Sequence, residues 1–126
     1  MKRMWAVLVL LALTLTISVL GARHTRAVTL QMERTVQEAK TAQERGDEDT
    51  ALAFSRKAVS DWRDAHRVLC LYMLHDRLED IDQTLAVLPE LCQDEQREEF
   101  LSECDRSLAQ FWYLNESELL TLDNLF

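Results

Sequence analysis

A chain of 126 residues that is 48% hydrophobic but holds only 2 glycines and 1 proline has room for one small domain, and it lacks the short Gly- and Pro-bounded runs from which sheets are built. Its net charge of −8 is unevenly spread: residues 28–75 carry 7 basic and 8 acidic side chains, whereas residues 76–126 carry 3 basic and 14 acidic ones. Such a surface repels phosphate backbones and anionic headgroups, so nucleic acid is not an expected partner.

The chain opens with the uncharged run from Met4 to Ala22, MWAVLVLLALTLTISVLGA. As a helix it would extend roughly 28 Å at about 1.5 Å per residue, close to the hydrocarbon thickness of a bilayer. Lys2 and Arg3 precede it, and Arg23, His24 and Arg26 follow it. A short basic N-terminus before the first apolar run is the signal-anchor arrangement, which predicts a single-pass protein of the cell membrane whose soluble part lies outside the cytoplasm. The rival is a cleaved signal peptide, with small residues around Val19 to Ala22 as the cleavage context. The apolar run exceeds the usual signal-peptide core, so an uncleaved anchor is favoured. Residues 1–24 are therefore read as the anchor and 25–126 as a soluble helical domain, too small for a large buried active site.

Beyond the span, Val28, Met32, Thr35, Val36, Ala39 and Ala42 recur at helical spacing with no breaker before Gly46, so the membrane helix can run straight into the first soluble helix. Gly46 followed by Asp47 and Glu48 reads as a left-handed stop and the acidic first turn of a second helix. That helix carries the longest apolar stripe: Ala51, Phe54, Ala58, Trp62, Ala65, Leu69 and Tyr72 or Met73. The small residues on both sides of Gly46 let the two helices pack as a close antiparallel pair, a pattern like a tetratricopeptide hairpin.

Asp76 and Glu79 in HDRLE have capping-box spacing, so a third helix bearing Leu78, Ile81, Leu85 and Leu88 can begin at Asp76. The alternative is one unbroken helix from Asp47 to Leu88. Pro89 disfavours helical geometry at Leu88, and Gln93, Asp94 and Glu95 form a polar turn. Phe100, Leu101, Cys104, Leu108, Phe111 and Trp112 then mark the face of a further helix. Asn115 and Glu118 repeat the capping-box spacing, which predicts a separate short C-terminal helix or arm whose Leu119, Leu122, Leu125 and Phe126 need an apolar surface to cover them. The expected fold is all-α: an N-terminal transmembrane helix, a small helical-hairpin bundle and that arm.

Several of these features occur together in one order: the basic N-terminus with its single span, the GD turn after small residues, Trp62 and His66 in WRDAH, His75 in LHDRLEDID, and the terminal ESELLTLDNLF. In this the chain resembles the bacterial domain-of-unknown-function 4363 family over nearly its whole length. It departs from the family where Leu114 and Asn115 replace the usual Ile and Pro. The resemblance implies a bacterial, membrane-anchored helical protein and brings with it no activity, cofactor or catalytic residue.

The residues capable of chemistry gather in the centre. His66 and Cys70 are four apart, the spacing at which two side chains share a metal, but zinc needs at least one more protein ligand. His75 is the remaining histidine of the soluble part, and on a continuous helix its offset of nine residues points it to another side. Metal binding by His66, Cys70 and His75 is thus the lesser expectation; the greater is structural, with Trp62 stacked near His66 and both histidines hydrogen-bonded at the edge of the core. Cys70, Cys92 and Cys104 have no obvious pairing and read as buried free thiols. No group completes a nucleophilic Cys70 and His66 pair. The carboxylates Asp76, Glu79, Asp80 and Asp82, and those from Glu95 to Asp105, read as solvated faces. Neither an enzyme nor a cofactor is expected. The function the sequence favours is a membrane-anchored interaction module that assists another membrane protein; the alternative is an extracytoplasmic small-ligand or metal-binding protein using His66, His75 and Trp62.

Overall fold

With no proline and no αL glycine before residue 46, the backbone has no reason to leave helical geometry, and the first element is a single helix α1 spanning Lys2–Glu44. The computed structural model describes the backbone of residues 1–125 and the side chains of residues 1–117 apart from Asp94. α1 is 43 residues long, about 65 Å at roughly 1.5 Å per residue. Its N-terminal part is long and apolar enough to cross a membrane and has none of that stretch buried against the protein. Its C-terminal part, from Thr25 onward, belongs to the bundle and buries Met32, Val36, Ala39 and Ala42.

Gly46 turns the chain at φ +80°, the left-handed region a side chain would resist. Asp47 then caps α2 (Glu48–Leu69): its carboxylate accepts from the Thr50 hydroxyl at 2.6 Å and from the Thr50 N–H at 3.2 Å. These bonds hold the Asp47 carboxyl below its ordinary range. The contribution of this cap is therefore present above the unfolded carboxyl's pKa and is lost as pH falls through the lowered folded value. Ala39 and Ala42 face Ala51, Ser55 and Ala58, all fully buried or nearly so. Small side chains on both helices let α1 and α2 lie close, as the sequence predicts.

The helix after Gly46 does not run unbroken to Leu88. α2 ends at Leu69, Cys70 caps it, and α3 runs from His75 to Val87. The break comes before Asp76 rather than at it, because Leu74 takes the extended N-cap position and offers no side-chain cap. The expected Asp76 and Glu79 capping box is not formed; Glu79 instead pairs with His75 at 2.8 Å. Leu88 ends α3 before Pro89, and a 3-10 turn at Asp94–Gln96 leads into α4, Arg97–Leu125.

α4 corrects the second capping box as well. Helical backbone continues through Asn115 to Leu125, so among the described residues no break separates a short C-terminal helix from α4. Asn115 and Glu118 lie inside a helix whose ladder already satisfies their N–H groups. The expectation that Leu119, Leu122, Leu125 and Phe126 cover an apolar surface concerns side chains outside the described residues. α4 runs antiparallel to α1: Arg97 donates to the Glu44 carbonyl at one end, and Lys40 meets Asp105 at 2.6 Å farther along. The four helices close a ring in which α1 touches α2 and α4, and α3 touches the same two from the other side. Phe100, Phe111, Leu78, Ile81, Leu85 and Leu69 fill the centre.

Candidate functional site

Two places in this bundle hold more than packing: a polar cluster where α2 meets α3, and an apolar groove where α1 is flanked by α2 and α4. The cluster begins with Trp62, which is 2% exposed and lies on the α2 core stripe with its ring 5.7 Å from that of Phe111 on α4. An indole buried this deeply needs an acceptor for its N–H. Asp82 of α3 supplies it: one carboxylate oxygen, Oδ1, accepts from the Trp62 Nε1–H and lies 2.9 Å from His66 Nδ1. Toward an ionised carboxylate, which only accepts, the donor in that contact is the His66 Nδ1–H.

His75 joins the cluster against expectation. Because α2 stops at Leu69 and the chain reverses, the His75 ring comes to 5.9 Å from the His66 ring, edge to face, where a continuous helix would have parted them. His75 Nε2 is held by Glu79. Trp62 and His66 are neighbours as the sequence predicts, ring centroids 6.3 Å apart. Cys70 does not complete a metal set. It is exposed, and its thiol faces the Arg67 carbonyl at 3.2 Å. Among the described residues no three histidine, cysteine or carboxylate side chains are arranged to hold a metal.

Asp82 is the residue that sequence reading misassigned to a solvated face. A signal was present: it stands four residues after Leu78 and three before Leu85, both buried, so it shares the edge of their stripe. A small cleft of about 420 Å³ opens beside it between Val59, Arg63, Arg67 and Ala86.

The expectation of three buried thiols holds for two. Cys92 and Cys104 are buried and Cys70 is exposed, all three unpaired. Burial pushes the Cys92 thiol up and the Cys104 thiol up to about 12. Folded protein should therefore give one fast-reacting thiol with a water-soluble maleimide, at Cys70, and three after denaturation. Intact-mass counting of the adducts checks this, and rapid modification of Cys104 in the folded chain would contradict the burial.

The groove is the larger feature, about 830 Å³, with the α1 turns from Leu30 to Arg45 as its floor and Phe54, Leu108 and Trp112 as its apolar walls. Leu30 is 44% and Trp112 54% exposed, and with Phe54 and Leu108 they form one contiguous apolar lining rather than scattered single side chains. Glu33, Arg34, Glu38 and Arg45 ring it with both signs of charge. Sequence reading put Trp112 on the buried face of its helix with Phe111; the structure buries Phe111 and turns Trp112 outward.

The profile of the family described as Domain of unknown function (DUF4363) matches residues 19–125. The chain belongs to this family. The match covers the end of the apolar helix and the whole bundle, so in this DUF4363 chain the cluster and the groove both lie inside the shared region. No curated protein and no solved structure is significantly similar.

Proposed function

We propose that this DUF4363 protein is a membrane-anchored interaction module, accessory to another membrane protein, and that it is not an enzyme. In this reading the 4–22 segment crosses the cell membrane once, uncleaved, and the bundle stands on the extracytoplasmic side. The observation that carries the reading is the groove: Leu30, Phe54, Leu108 and Trp112 form an unfilled apolar surface on the helix that continues into the apolar span. A partner helix from the same membrane would reach that surface with little loss of freedom, because both proteins are held in one plane. Aromatic side chains walled by charge are the usual centre of such an interface. The polar cluster has the opposite character, with its donors already satisfied by Asp82 and Glu79, as a structural element would.

A photocrosslinking residue replacing Trp112 in the full chain, in its native membrane, should give an adduct with one membrane protein. The adduct should be lost with Leu30→Asp, and the same residue placed at exposed Glu90 on the α3 side should give none. Equal adducts from both positions, or none from position 112, would remove the groove as the docking surface.

A further inference from the structure

The loop between α2 and α3 reads Cys70, Leu71, Tyr72, Met73, Leu74, without charge, glycine or proline. Connecting loops are ordinarily polar because they face water. Here Leu71 is 80% and Leu74 70% exposed, and Val68 and Tyr72 beside them are 43% and 40% exposed. The position of the loop along α1 gives these side chains a destination. The Tyr72 hydroxyl donates to the Gly21 carbonyl at 3.3 Å and lies 2.9 Å from the Thr25 hydroxyl. Its ring lies so close to the helix that a Cβ on Gly21 would sit 3.6 Å from it. Gly21 belongs to the last turn of the apolar run, and exposed Arg23, His24 and Arg26 follow in the next turn. The loop is thus pinned at the level where hydrocarbon gives way to headgroups.

We propose that the α2–α3 loop is a second membrane contact, with Leu71 and Leu74 inserted into the outer hydrocarbon of the bilayer that α1 spans and Tyr72 seated at the headgroup boundary. The proposal rests on the spanning role given to the 4–22 segment. Tyrosine suits that boundary because its ring is apolar and its hydroxyl wet. Each leucine removed from water at this level adds the hydrophobic term that its exposure in the isolated protein forgoes. The contact is apolar, so it does not require anionic lipid, which the acidic C-terminal half would repel. Two points of attachment, the span and the loop, hold the bundle at one tilt and so present the groove in a fixed direction relative to the membrane plane.

The exposed Cys70 thiol offers the probe. Full-length protein carrying an environment-sensitive fluorophore on Cys70 is reconstituted into phosphatidylcholine vesicles doped with lipid bearing a nitroxide quencher either near the headgroup end or near the tail end of the acyl chain. A second variant, Cys70→Ser with Leu13→Cys, places the fluorophore in the middle of the span. The expected result is loss of Cys70 fluorescence with the shallow quencher, much less loss with the deep one, and the reverse order for position 13. Leu71→Asp with Leu74→Asp, both at exposed positions, should weaken the shallow quenching of the Cys70 probe and shift its emission toward that of the probe in water, while Tyr72 still ties the loop to α1. If the Cys70 probe is untouched by either quencher while position 13 is quenched by the deep one, the loop stands off the membrane and the proposal falls alone. If position 13 is also untouched, the anchor fails and the proposal falls with it.

Discussion

Trp62→Ala should cost the domain about 3–5 kcal/mol, the range for truncating a large aromatic side chain in a packed core. Trp62 is all but fully buried, its ring tilts against Phe111, and its indole N–H is committed to Asp82. Removing it opens a cavity where α2, α3 and α4 converge and deprives Asp82 of a partner. Small domains hold only about 5–15 kcal/mol in total, so this loss is a large fraction of the whole. Chemical unfolding of the full chain in detergent micelles, followed by the far-ultraviolet helical signal, measures it. An unchanged midpoint would show that Trp62 is not part of the core.

Asp82→Ala should cost about 1–3 kcal/mol, because it leaves the buried Trp62 donor without an acceptor and His66 without its carboxylate. The partner-specific share is separable. In a Trp62→Phe background there is no indole N–H to orphan, so the further cost of Asp82→Ala should fall well below its cost in the native chain. Equal costs in the two backgrounds would mean that Asp82 acts through His66 or through α3 alone. The expected coupling also distinguishes the cluster as a brace between α2 and α3 from a ligand site, where loss of Asp82 would change binding with little change in unfolding.

The helices were legible where period and breakers agree. The stripe from Val28 to Ala42, Gly46 with Asp47, and the stripe through Ala51, Ala58, Trp62 and Leu69 each contain both an apolar repeat and a physical reason to stop or start. Capping-box spacings were uneven guides: α3 begins at His75, one residue before Asp76, and buries Leu78, Ile81 and Leu85 as expected although the box itself does not form, whereas the spacing at Asn115 lies inside α4. The break after Leu69 had no breaker to announce it. CLYML is a segment of ordinary helix-compatible residues, and in the structure its Tyr72 is bonded to Gly21 and Thr25, a contact about fifty positions away in the chain. Long-range pairing of that kind leaves no period in the sequence. The same break brings His75 beside His66 and Asp82 against Trp62; both histidines are hydrogen-bonded as expected, but His75 is exposed rather than at the edge of the core. The groove was not legible, because it depends on how α1, α2 and α4 pack; the phase of α4 alone, at about 3.6 residues per turn, sets Phe111 with Phe100 and Cys104 and turns Trp112 away, and says nothing of what Trp112 then faces.

Whether α1 is both membrane anchor and first helix of the bundle is tested most directly by the mass of the protein recovered from cells. The anchor predicts a chain that stays with the membrane through alkaline carbonate extraction and whose intact mass includes the 4–22 segment, 14.7 kDa for these 126 residues. A carbonate-soluble protein whose mature N-terminus lies near Ala22 or Arg23 would contradict it.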